Sequence, residues 1–181
     1  MGKKTYKVDL SVSGIEKLKK QLLDYRNNEL PRKLTQFVKE LAEVGIPVIE
    51  RNMAEASYTF DEKGVQSGAD PNHYTHEKLN SFGSYAQATL IVEGRELLFI
   101  EFGSGTSYNG AVGSSPHPKG EEFGYTIGSY GKGYGARKVW GYYAESGELV
   151  LTRGVKATMP VYEADKEIIK SVTKVARKVF G

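Results

Sequence analysis

Cysteine is absent from this chain of 181 residues. That excludes a disulfide framework, a thiolate zinc site and a dithiol redox pair, and it fits synthesis in a reducing compartment. Also missing is any apolar run near the roughly 20 residues that a membrane-spanning helix needs. The opening Met1-Gly2-Lys3-Lys4-Thr5-Tyr6 lacks the apolar core of a signal peptide, so no membrane partner is expected. Charge of one sign is scarce: 25 basic against 22 acidic side chains leave +3, below the footprint of a dedicated nucleic-acid binder. No serine sits in a Gly-x-Ser-x-Gly elbow and no carboxylate pair stands apart from the solvated background, so an enzyme is not expected.

Glycine (21) and tyrosine (12) are plentiful, and both concentrate between Ser81 and Tyr143. Tyrosine offers a large contact area with a polar tip, which suits a surface that becomes ordered against a partner. The length fits one domain, 1–181, with a core of its own.

Tyr6, Val8, Leu10 and Val12 alternate with polar residues and predict a first strand. Ser13 and Glu16 have the spacing of a capping box, and Ile15, Leu18, Leu22 and Tyr25 predict a helix that Asn27-Asn28 ends. Pro31 opens a second helix, whose apolar stripe runs from Leu34 to Ile49 and whose course Pro47 kinks near Glu43, with its end near Ala56. These elements make up 1–56. Residues 57–84 read as a loop carrying at most one short element. Tyr85–Val92 and Leu97–Phe102 form a hairpin, 85–102, turning at Glu93-Gly94-Arg95-Glu96. Residues 103–137 form a long insertion loop without a period. A second hairpin, 138–152, turns at Glu145-Ser146-Gly147, and a closing helix spans 160–180 with Pro160 at its start. The expected class is α+β: a small antiparallel sheet of about four strands packed against N-terminal and C-terminal helices, with a long glycine- and tyrosine-rich loop.

His73 and His76 are three residues apart, but a zinc site needs further ligands and none lies nearby, so both are read as loop residues; His117-Pro118-Lys119 is read as an exposed loop. Gly103-Ser104-Gly105 and Gly131-Lys132-Gly133 lack the helix and the Gly-Lys-Ser/Thr of phosphate loops. No cofactor or metal is expected. Tyr108, Tyr125, Tyr130 and Tyr134 are interleaved with Lys132, Arg137 and Lys138, as a single-stranded nucleic-acid platform requires, yet Glu121 and Glu122 in the same loop favour protein contact.

Two segments carry a family resemblance: Ile100-Glu101-Phe102-Gly103-Ser104-Gly105-Thr106, and Thr152-Arg153-Gly154-Val155-Lys156-Ala157-Thr158-Met159-Pro160-Val161-Tyr162-Glu163-Ala164 entering the closing helix. With the N-terminal helices, a variable insert and an aromatic strand at Trp140 between them, the chain resembles the tail-component proteins of long-tailed, lambda-like bacteriophages, which complete or terminate the tail and join it to the head. It departs from them at Met159-Pro160-Val161-Tyr162, where the family has Pro-Phe, and in lacking a Thr-Gly-x-Leu segment before the first hairpin.

The resemblance implies a non-enzymatic virion protein of the phage neck, made in the host bacterial cytoplasm. It also implies a homo-oligomeric ring, expected as a hexamer. Its partners would be the tail tube protein and the head-tail connector protein, with genomic DNA passing through the lumen without specific recognition. Expected interface residues are Glu101, Phe102, Gly103, Gly105, Tyr108, Tyr125, Tyr130, Tyr134 and Trp140. Glu101 is expected to cap amides of the glycine turn or to meet a neighbouring subunit. A minor head or connector protein and a nucleic-acid-binding module are the alternatives.

Overall fold

The computed structural model describes residues 9, 11–112, 115–125 and 137–181. Helix α1 spans Val12–Asp24, a π-helical turn covers Tyr25–Glu29, and α2 spans Leu30–Glu55. Short strands β1 (Thr59–Phe60) and β2 (Gln66–Ser67) precede the long β3 (His73–Phe82) and β4 (Tyr85–Gly94). Helices α3 (Leu97–Phe102) and α4 (Thr106–Asn109) lead towards β5 (Trp140–Tyr143) and β6 (Leu149–Thr152), and α5 (Pro160–Phe180) closes the chain. The class is α+β.

The four-stranded sheet has the order β1-β2-β6-β5, and β3 pairs with β4 in a separate sheet. The count of four matches the expectation, but within this sheet only the β5–β6 hairpin is among the strands expected; the expected strand Tyr85–Val92 is present as β4, in the separate sheet. The larger sheet is also mixed, because β2 and β6 run parallel, with Gln66 opposite Thr152. This pairing continues past the strands, where Arg153 donates to the Gln66 carbonyl (2.9 Å) and Gly68 to the Gly154 carbonyl (3.1 Å).

Several expectations are corrected. Of the strand expected at 6–12, Tyr6, Val8 and Leu10 lie outside the described residues, while Val12 opens α1. The cap is Ser11 and not Ser13: its Oγ accepts the Gly14 amide at 3.2 Å and donates to Asp9 Oδ2 at 2.7 Å. Asn27-Asn28 does not end the helix. Pro31 has no N–H for the Asn27 carbonyl and its ring crowds that group; the wider π turn, in which Leu30 donates to the Tyr25 carbonyl, lets the chain stay helical. Helix α2 runs unbroken through Pro47 to Glu55.

The stretch 57–84, read as loop, holds β1, β2 and β3. Two-residue strands are too short to show a period, and β3 is exposed over its second half, so no buried face imposes apolar alternation on it. The first hairpin is therefore β3–β4, turning at Gly83-Ser84, and not 85–102. Leu97–Phe102, read as strand, is helical: Phe99 and Ile100 donate to the Glu96 carbonyl and Gly103 to that of Phe99. A short apolar run fits either state; here Ile100, Glu101 and Phe102 are buried consecutively, which a half-buried strand cannot do.

The chain divides into two compact units. One comprises Met1–Ile46, His76–Ile91 and Lys166–Gly181, the other Pro47–Thr75 and Val92–Asp165. In the first, the rings of Phe37 and Phe180 meet at 5.6 Å, and Lys178 pairs with Glu40 at 2.9 Å. In the second, Ile49, Met53, Ile100 and Pro160 are fully sequestered, each apolar side chain contributing about 1.5–3 kcal/mol by burial. Asn52 ties α2 to the approach to α5, donating to the Thr158 carbonyl (2.7 Å) while the Thr158 hydroxyl donates to the Asn52 carbonyl (2.8 Å).

Candidate functional site

The two segments singled out in the sequence, 100–106 and 152–164, meet in the second unit. Ser104 and Val155 exchange both backbone hydrogen bonds, at 2.9 and 3.0 Å, as an isolated antiparallel bridge. Thr158 donates to the Ile100 carbonyl at 3.0 Å. This crossing requires glycine. Gly154 (φ +88°) has no room for a Cβ, which would overlap the Ser104 carbonyl oxygen, and a Cβ on Gly105 (φ +74°) would come within 2.6 Å of the Arg153 carbonyl oxygen.

Asn109, buried at the end of α4, locks the crossing. Its Nδ2 donates to the carbonyls of Val155 (2.6 Å) and Ser104 (3.0 Å), and its Oδ1 accepts the Ala157 amide (3.0 Å). Nothing in the sequence marks Asn109 apart from its glycine neighbour, an ordinary turn signal.

Glu101 is buried and its carboxylate faces the first turn of α5. Oε2 accepts the Val161 amide at 2.8 Å and Oε1 the Tyr162 amide at 2.9 Å. These are orphan donors of the helix start, where a carboxylate is favoured by both hydrogen bonding and the helix dipole. The cap is thus on a helix sixty residues away and not on the adjacent glycine turn.

His117 is buried, correcting the exposed-loop reading. Its Nδ1 accepts the Lys119 amide at 3.0 Å, which leaves the proton on Nε2 to reach Glu101 Oε1 at 3.1 Å. Both ring nitrogens are occupied. The imidazole also packs on Phe102 (4.6 Å) and Tyr162 (5.1 Å), and Tyr125 stacks on Phe102 at 4.0 Å with planes 4° apart. Ser115 donates to the Phe102 carbonyl at 2.8 Å, so residues 115–125 are clasped onto α3.

Of the nine expected interface residues, Glu101, Phe102, Gly103 and Gly105 are gathered here and buried, with Tyr125 stacked beside them. Tyr108 is largely exposed, its hydroxyl 3.0 Å from Ser67 Oγ. Trp140 is half-buried at the start of β5, near Tyr142. Tyr130 and Tyr134 lie outside the described residues. His73 and His76 stand in β3, and among the described residues no cluster of three or more His, Cys, Asp or Glu could hold a metal. No described helix is long and apolar enough to cross a membrane. No family model, no curated protein and no solved structure matches the chain.

Proposed function

We propose that this chain is a non-enzymatic structural protein of a phage neck, completing or terminating the tail tube and joining it to the head connector as a homo-oligomeric ring. One observation supports this reading most. The two segments on which the resemblance rests are 46 residues or more apart in sequence yet form one interlocked unit through Ser104–Val155, Asn109 and Glu101. The unit turns its polar groups inward: the Glu101 carboxylate, both His117 nitrogens and the Asn109 amide are all engaged with other groups of the chain. That is the profile of a rigid structural junction.

Light scattering and electron microscopy of the purified protein, alone and mixed with tail tube and connector proteins, test the reading. Rings that seat on the end of the tube are expected. A strict monomer that ignores both proteins would overturn it.

A further inference from the structure

The small overall charge conceals a large asymmetry. Segments 1–46, 76–91 and 166–181 hold sixteen Lys and Arg against eight Asp and Glu, a net of +8. Segments 47–75 and 92–165 hold nine against fourteen, a net of −5. One compact unit is basic and the other acidic.

Each also leaves one apolar face without cover among the described residues. In the basic unit, Ile15, Leu18, Leu22 and Tyr25 recur at the three-and-four spacing of a one-sided seam, yet α1 buries none of its residues, with Ile15 51% and Leu22 48% exposed. Leu18 and Tyr25 are half-buried, and α1 continues through the π turn into α2, so the stripe is held on a long helical stretch. Lys19 and Arg26 beside that stripe are exposed. In the acidic unit, the register of β5 and β6 sets Tyr143 opposite Leu149 and Gly141 opposite Leu151, which puts all four on one face of the hairpin. Tyr143 is 76% exposed, Leu149 59% and Leu151 44%, and the two leucine side chains lean over Gly141. Glu145 and Glu148 are exposed in the adjoining turn, Glu145 pairing with Arg95. Among the described residues, β5 is an edge strand of its sheet.

We infer that α1 of one copy docks, apolar stripe inward, on the outer face of the β5–β6 hairpin of a second copy, with Lys19 and Arg26 towards the turn that carries Glu145 and Glu148. The opposite net charges steer this orientation. Pairing of α1 with α1 lacks matching charge, because the positions beside the seam carry Lys19 and Arg26 on one side and Gln21 and Asn28 on the other. The contact joins two different surfaces, so each copy keeps one donor and one acceptor, and repetition closes a ring or extends a filament. Its use as a ring rests on the proposed neck function; the contact itself rests on charge and exposure.

The absence of cysteine makes the test direct. Leu22→Cys and Leu149→Cys variants of the full chain are mixed under mild oxidation. The expected product is a disulfide joining one of each, weakened at about 1 M salt, where the screening length falls to about 3 Å. Leu149→Glu, at an exposed site, is expected to weaken self-association at least tenfold by analytical ultracentrifugation, with circular dichroism unchanged. No mixed product, or Leu22→Cys joining to itself as readily, overturns the proposal. So does a monomeric protein whose basic unit binds duplex DNA. Rings without the mixed disulfide would sink this contact and leave the neck function standing. Disulfide-joined rings indifferent to tail tube protein would do the reverse.

Discussion

The Glu101 carboxylate accepts the backbone amide of Val161 at 2.8 Å, so a side chain on α3 caps a helix that begins about sixty residues later. Because Glu101 is buried, its removal acts on folding as well as on any assembly. Glu101→Ala leaves the Val161 and Tyr162 amides and His117 Nε2 without their acceptor and is expected to cost about 1.5–3 kcal/mol. Glu101→Gln keeps one acceptor oxygen and should lose less. The measurement is the urea midpoint at unchanged slope; equal stability of the alanine variant and the parent would refute the capping role.

Two glycines with similar backbone angles should respond differently to alanine. Gly147 (φ +83°), in the β5–β6 turn, has open space around its missing side chain, so Gly147→Ala is expected to cost only the left-handed penalty of about 1–2 kcal/mol. Gly154 (φ +88°) carries the same penalty plus overlap with the Ser104 carbonyl, a backbone atom that cannot swing aside. Gly154→Ala should fail to give a cooperative thermal transition under conditions where Gly147→Ala still gives one.

Stability should fall in acid through Asp61. The Arg153 guanidinium holds its carboxyl below the usual carboxylate range, helped by the Val65 and Lys63 amides and opposed by partial burial. A carboxyl whose pKa is lowered by folding contributes stability that is fully present above the unfolded value of about 3.9. That contribution disappears as pH falls through the lower folded value. Asp61→Asn is therefore expected to be less stable than the parent at pH 7 and to lose less on acidification below about pH 4. Urea titrations across this range decide it; parallel curves would mean that the Arg153 pair contributes nothing.

The sequence by itself determined the elements whose signal is local. Pro160 at a helix start and an apolar stripe to Val179 fix α5, and Glu145-Ser146-Gly147 between two aromatic and aliphatic runs fixes the β5–β6 hairpin, because turn chemistry and periodicity need no distant partner. The α+β class followed from these. Tertiary structure decided the rest. Leu97–Phe102 is a helix because Ile100, Glu101 and Phe102 must all turn inward, a demand set by α5 and by residues 115–125 and invisible in a six-residue apolar run. His117 and Asn109 look like loop residues in the sequence. They are buried because carbonyls and a carboxylate far along the chain supply the hydrogen bonds that make burying a polar side chain tolerable, and no local pattern encodes partners that only the folded chain brings within hydrogen-bonding distance.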